Sequence, residues 1–223
     1  MPSRLNPESL RERIEAEYTA RGDQLGWRLL YSPEKVVDGA EIAFIGLNPG
    51  GDHAPPEHED FAMPGGSAYV EESWAGHPPG RSPLQRQVHA LFDALDVAPE
   101  RVLAGNLVPF RAPSWDDLAE PREAIRFGTE LWRDILAAAQ PRLIVTMGQA
   151  AGDAVSRLLG SHETLRIGVG WGSVTARRHE RDGVALVVLP HLSRFAIIGR
   201  PASEPALAKL FAGDWRNRTD RRI

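Results

Sequence analysis

The chain contains no cysteine. That absence excludes a disulfide framework, thiolate zinc and iron–sulfur centres, and a cysteine nucleophile. Lysine is nearly missing too, since Lys35 and Lys209 are the only two among 26 basic residues. Positive charge is therefore carried by guanidinium groups, which fork onto phosphate better than an ammonium does. No apolar run approaches the roughly 18 residues of a membrane span. The first residues are charged from Arg4 onward, which predicts no signal peptide. The expectation is a cytoplasmic protein with no membrane partner. Also missing are a Walker phosphate loop, a dinucleotide glycine fingerprint, a nucleophile elbow and an HExxH helix. His53, His58, His77 and His89 match no helical ligand spacing, so no metal and no other cofactor is expected.

What is present suffices for a core. The chain has 223 residues, 42% of them hydrophobic, which predicts one domain over 1–223. A chain of this size buries roughly 70% of its unfolded surface, so it needs no structural metal or staple. Over residues 3–20, Leu10, Ile14 and Tyr18 recur at helical spacing and predict an amphipathic helix. Residues 41–46 (EIAFIG) form a short apolar run stopping in Asn-Pro-Gly-Gly, the pattern of a buried strand entering a turn. Residues 52–82, rich in Pro, Gly and His, read as one long loop, a feature usually functional or mobile. Helices are predicted at 83–95, 126–139, 149–159 and 203–211, and strands at 102–107, 142–147, 165–178 and 183–189. The tail over 216–223 reads as frayed. Apolar strands alternating with helices predict an α/β three-layer sandwich with a central, mostly parallel sheet.

In such sheets, sites gather beyond the carboxyl ends of the strands. Three predicted strands end in GLNPGG (46–51), NLVPF (106–110) and PHLSRF (190–195). Two asparagines, a histidine and a serine therefore converge on one edge. No pair of carboxylates stands there, which argues against ordinary glycoside hydrolysis.

These three segments, in this order, resemble those of the uracil-DNA glycosylase superfamily. The first is most similar to the mismatch-specific and single-strand-selective branches, which carry Asn-Pro-Gly. The similarity runs over about residues 40–212. It implies a uracil-DNA glycosylase-like fold and hydrolysis of the bond between a damaged base and its sugar, a step of base-excision repair. Asn48 would hold the attacking water. His191 would donate a hydrogen bond to the departing base, as a neutral imidazole can. Asn106 would read the base edge with one donor and one acceptor. Phe61 would stack on the flipped base, ahead of Tyr69 and Trp74. Gly46, Leu47 and Gly50 would line the pocket, and Ser193 with Arg194 would hold a phosphate. Most relatives follow the histidine with proline, whereas Leu192 and Arg194 stand here, so the loop that presses on DNA should differ. No lysine lies near these segments, which speaks against a Schiff-base lyase step.

Each residue also has a plainer reading: Asn48 as a turn former, Asn106 as a backbone cap, His191 as a satisfied strand-end histidine. Charge bears on the choice. The formal net charge is −4, awkward for a DNA binder. Residues 52–72 hold six carboxylates and no Lys or Arg, while 73–223 hold 20 basic and 16 acidic residues. Arg177, Arg178, Arg181, Arg194, Arg216, Arg218, Arg221 and Arg222 would form a phosphate-contacting face. The acidic loop could gate the pocket or meet a protein partner. The expected partner is DNA carrying uracil or another deaminated or damaged base, met by a monomer. Two alternatives stay open: a non-catalytic nucleic-acid or nucleobase binder on the same fold, and an N-glycosidase acting on free nucleosides or nucleotides.

Overall fold

A computed structural model describes residues 5–53 and 58–216. Among them, six strands form one sheet: β1 (Ile42–Gly46), β2 (Leu103–Asn106), β3 (Leu143–Met147), β4 (His162–Gly168), β5 (Thr175–Arg181) and β6 (Val184–Leu189). Their order is β2-β1-β3-β6-β5-β4. The first four run parallel, and β5 and β4 add an antiparallel hairpin at one edge. The helices are α1 (Pro7–Arg21), α2 (Ala68–Glu71), α3 (Pro83–Ala94), α4 (Pro121–Ala139), α5 (Gln149–Leu159) and α6 (Glu204–Phe211).

Alternation along the strands builds the three layers. Ala43 and Ile45 of β1 face a core with Leu10 and Ile14 of α1, Trp132 and Ile135 of α4, and Val155 of α5. Ile42 and Phe44 face the other, with Val88 and Phe92 of α3 and Leu207 and Phe211 of α6. Both faces are covered, so β1 and β3 are buried at every position and read as continuous apolar runs. The outer edge of β2 is sealed by residues 27–31. Leu30 bridges Gly105, and the Asn106 N–H donates to the Leu29 carbonyl at 2.9 Å.

Several boundaries differ from the sequence expectation. The segment 165–178 is two strands. Gly170 (φ 69°) and Gly172 (φ 54°) turn the chain between them, but Val169, Trp171 and Val174 keep the apolar signal running through that turn. β4 begins at His162 because an exposed edge strand carries no apolar pattern. α4 starts at Pro121, in a charged first turn that hides its periodicity. Within the long loop, residues 68–71 make one helical turn. The expected start of the first helix (3–4) and the tail from 217 lie outside the described residues.

Candidate active site

The parallel strands end level with one another. Gly46 pairs with Asn106, Ile45 with Thr146, and Met147 with Leu189. Whatever follows these residues therefore shares one rim, and the chain reverses its direction of travel across the sheet between β1 and β3. That switch point is where α/β sheets open a crevice.

The turn after β1 is bolted to the chain after β2. Leu107 N–H donates to Gly46 O at 2.9 Å, Val108 N–H to Leu47 O at 2.8 Å, and Ala112 N–H to Pro49 O at 3.2 Å. Arg111 adds a hydrogen bond from its guanidinium to the Gly50 carbonyl. Leu47 packs on the α1–α4 core. Asn48 is half-buried, and its Nδ2 donates to Pro49 O at 3.0 Å. No described residue donates to its Oδ1.

Asn106 is 3% exposed. Its backbone is saturated, the N–H by Leu29 and the carbonyl by Trp132 Nε1 at 2.7 Å. Its side-chain Nδ2 is buried with no hydrogen-bond partner. A buried amide N–H left unpaired costs about 1–3 kcal/mol, so folds rarely tolerate one without a use for it. Gly46 makes room for this amide. A Cβ at position 46 would stand 2.9 Å from Asn106 Oδ1 and 3.7 Å from Met147 Cε.

His191 leaves the end of β6, half-buried. Its carbonyl accepts from the Arg194 and Phe195 N–H groups, each at 3.0 Å, so the loop curls back on itself. The Ser193 hydroxyl lies 2.7 Å from its Nδ1. Burial, and secondly the charge of Arg194, hold the imidazole pKa below its ordinary value. The ring is neutral at pH 7, and a Ser193 hydroxyl that donates to Nδ1 leaves the ring's proton on Nε2. Leu192, in the place of the relatives' proline, is 1% exposed in the α3–α6 core and anchors the loop. Arg194 is exposed and has no carboxylate partner among the described residues.

Phe61, the ring expected to stack on the base, is 1% exposed. Its ring is buried in the α1–α4 core, with the Arg11 guanidinium over one face, 4.9 Å from the centroid. The rings on the α3 side are Tyr31, Tyr69 and Trp74, mutually packed at 5.1–5.5 Å.

Sequence reasoning missed a buried ion pair beside these rings. Arg28 grips Glu72 through both oxygens, at 2.9 and 2.6 Å, and its guanidinium lies 4.7 Å from the centre of the Tyr31 ring. Trp74 Nε1 donates to the same carboxylate at 2.9 Å, and His58 Nε2 approaches it to 3.5 Å. Glu72 therefore does not belong to a free acidic surface. Asp52 pairs with His53, Glu59 and Asp60 are exposed, and Glu57 lies outside the described residues. Arg111 was also missed, and the only available signal was its place directly after NLVPF.

Of the five described members of the expected arginine face, four are neutralised. Arg177 pairs with Asp153, Arg178 with Glu180, Arg181 with Asp182 and Arg216 with Asp96. Arg218, Arg221 and Arg222 lie outside the described residues.

The doubly wound sheet sets two amides and a neutral imidazole at the strand ends of one rim, groups able to hydrogen-bond a small planar polar ligand. The comparison of families agrees with that chemistry. The model of the uracil DNA glycosylase superfamily matches residues 33–211, and the chain belongs to this superfamily. A search of curated proteins found no match to it. Superfamily membership supports a DNA glycosylase-like function, and no helix among the described residues is long and apolar enough to cross a membrane.

Proposed function

We propose that the chain is a monofunctional DNA glycosylase. It hydrolyses the N-glycosidic bond of uracil or a related deaminated base in base-excision repair, with water as nucleophile. The observation that carries this reading is the unpartnered Nδ2 of Asn106, buried opposite Gly46. A uracil edge offers a carbonyl oxygen to that N–H and a ring N–H to Oδ1. Cytosine offers the reverse at its exocyclic position and is rejected, because the mismatch leaves buried polar groups unpaired.

In the reaction, Asn48 Oδ1 accepts a hydrogen bond from water and aims it at the anomeric carbon. An amide is no base, so this contribution is positional. The water oxygen bonds to that carbon as the carbon–nitrogen bond breaks, and the bonding pair leaves with the base. The Nε2–H of His191 meets the negative charge that develops there, in a site shielded from bulk water. Gly50 lets the backbone approach the sugar and Arg194 takes a flanking phosphate, while one proton of the water passes to solvent and the other stays on the new anomeric hydroxyl. Phe61 enters this reading from its chain position, as a ring supporting the pocket from the α1 side. The two lysines, Lys35 and Lys209, are exposed and distant in sequence from the rim segments, which supports a mechanism without a Schiff base.

The test is abasic-site cleavage on labelled oligonucleotides carrying uracil, hypoxanthine, xanthine or thymine, single-stranded and paired. Base release by the wild type and its loss in His191→Ala support the reading. Tight stoichiometric binding without release would replace it with a binding protein, and turnover of free deoxynucleosides alone with a nucleoside hydrolase.

A further inference from the structure

The β4–β5 hairpin tip carries a second feature of the same rim. β5 runs antiparallel to β6, with Arg177 opposite Val188, so residues 169–174 sit at the carboxyl edge of the parallel strands, beside the His191 loop. The tip is firmly seated. Val169 N–H donates to Val174 O at 3.0 Å, Ser203 Oγ donates to Val169 O at 2.6 Å, and Gly170 lies so close to Ala202 that a Cβ would meet its carbonyl at 2.3 Å.

Trp171 projects from this tip. Phe195, four residues past His191, packs edge-on against it at 6.0 Å. The Arg200 guanidinium lies over its ring, 4.7 Å from the centroid. Arg200 is exposed and, like Arg194, makes no ion pair among the described residues. The arginines of β5, Arg177, Arg178 and Arg181, are tied to carboxylates, whereas Arg194 on the His191 loop and Arg200 on the Trp171 ring are open cations.

We infer that Arg200, laid on Trp171, is a stacking platform for an unpaired base of the DNA strand next to the excised nucleotide. Guanidinium planes and indole rings both accept base stacking, and stacking tolerates any sequence because every base has a π face. The occupant is single-stranded DNA, since bases within a duplex have their faces covered by one another. Arg194, three residues after His191, meets the adjoining phosphate. Such a platform supplies local grip to a chain whose overall charge of −4 repels DNA. Phe195 links it to the loop that bears His191, so strand seating and base capture share one rigid piece. This inference rests on the glycosylase reading for the neighbouring site, but its test does not require catalysis.

The experiment measures binding of the full chain to a fluorescent, uracil-free single-stranded oligonucleotide by anisotropy at low salt. Arg200→Ala and Trp171→Leu should each weaken binding about tenfold, the scale of one lost base stack. Arg200→Lys, which keeps the charge and loses the plane, should weaken it nearly as much. Unchanged melting temperatures establish that the variants are folded. No binding by the wild type, no change in the variants, full rescue by lysine, or losses confined to duplex would each overturn the inference. Base release read in parallel separates the two claims. Arg200-dependent binding without release removes the glycosylase and keeps the platform, whereas release with equal affinity across the variants does the reverse.

Discussion

Replacing Asn106 by leucine separates function from stability. The two side chains have nearly the same shape, and the asparagine amide makes no hydrogen bond through Nδ2 while buried at 3% exposure. An unpaired buried N–H destabilises the folded state by about 1–3 kcal/mol, and an apolar group of the same shape removes that term. The backbone bonds to Leu29 and Trp132 involve main-chain atoms and survive the change. Asn106→Leu should therefore be more stable than the wild type by about 1 kcal/mol, a rise in melting temperature of about 2–4 °C for a protein of this size. Base excision should fall by at least about a hundredfold, because the edge of the base then meets no donor and no acceptor. Thermal unfolding and single-turnover excision on the same preparation read both quantities. A variant destabilised by more than about 1 kcal/mol would refute the reasoning, since it would mean that the amide is satisfied in the folded protein.

Removing the His191 ring with alanine should slow excision about 10²–10³-fold, the usual loss for one donor to a developing anion, and leave chemical denaturation unchanged. Excision should also depend on pH through this ring. Its folded pKa lies below the ordinary 6.5, so activity is flat at neutral pH and falls only when acid protonates the ring below that value. The unfolded chain binds the proton first, so stability declines as pH drops from about 6.5 toward the folded pKa and is level above that window. Arg194→Ala removes a repelling charge and should move the acid limb of the pH–rate profile to higher pH. The ion pair under the long loop gives a further test by urea unfolding. Glu72→Gln leaves Arg28 as an uncompensated buried cation and should destabilise by about 3–5 kcal/mol, whereas Arg28→Met with Glu72→Gln should lose much less.

The parallel core was legible because its strands are buried on both faces. IAFIG and LIVTM carry no charge and, apart from Thr146, no polar side chain, and the first stops in a turn that sequence alone identifies. The edge hairpin was not legible, because an exposed strand such as β4 obeys no burial pattern and Trp171 disguises a turn. Within the site, Asn48, Asn106 and His191 could be placed because each follows a strand end at a rim that the topology makes common. Ser193 could not be assigned its contact with the imidazole, since a separation of two residues in a loop does not fix which group its hydroxyl meets. Arg28 and Glu72 are 44 residues apart, and nothing local distinguishes either from a solvated charge. Phe61 could be singled out by its position after the first turn, but its burial beneath Arg11 depends on α1, distant in sequence, and was not legible. The arginine face was not legible for a related reason, because carboxylates distant or adjacent in sequence claim four of its five described members.

The central claim is that the rim of Asn48, Asn106 and His191 breaks a glycosidic bond with water. Its most direct test is single-turnover incubation with a uracil-containing single-stranded oligonucleotide, with the free base quantified by mass spectrometry and the strand assayed for borohydride trapping. The account predicts one uracil released per site by the wild type, no trapped covalent adduct, and release reduced at least about a hundredfold in His191→Ala. An oligonucleotide bound but returned intact, or uracil released equally by both proteins, would contradict it.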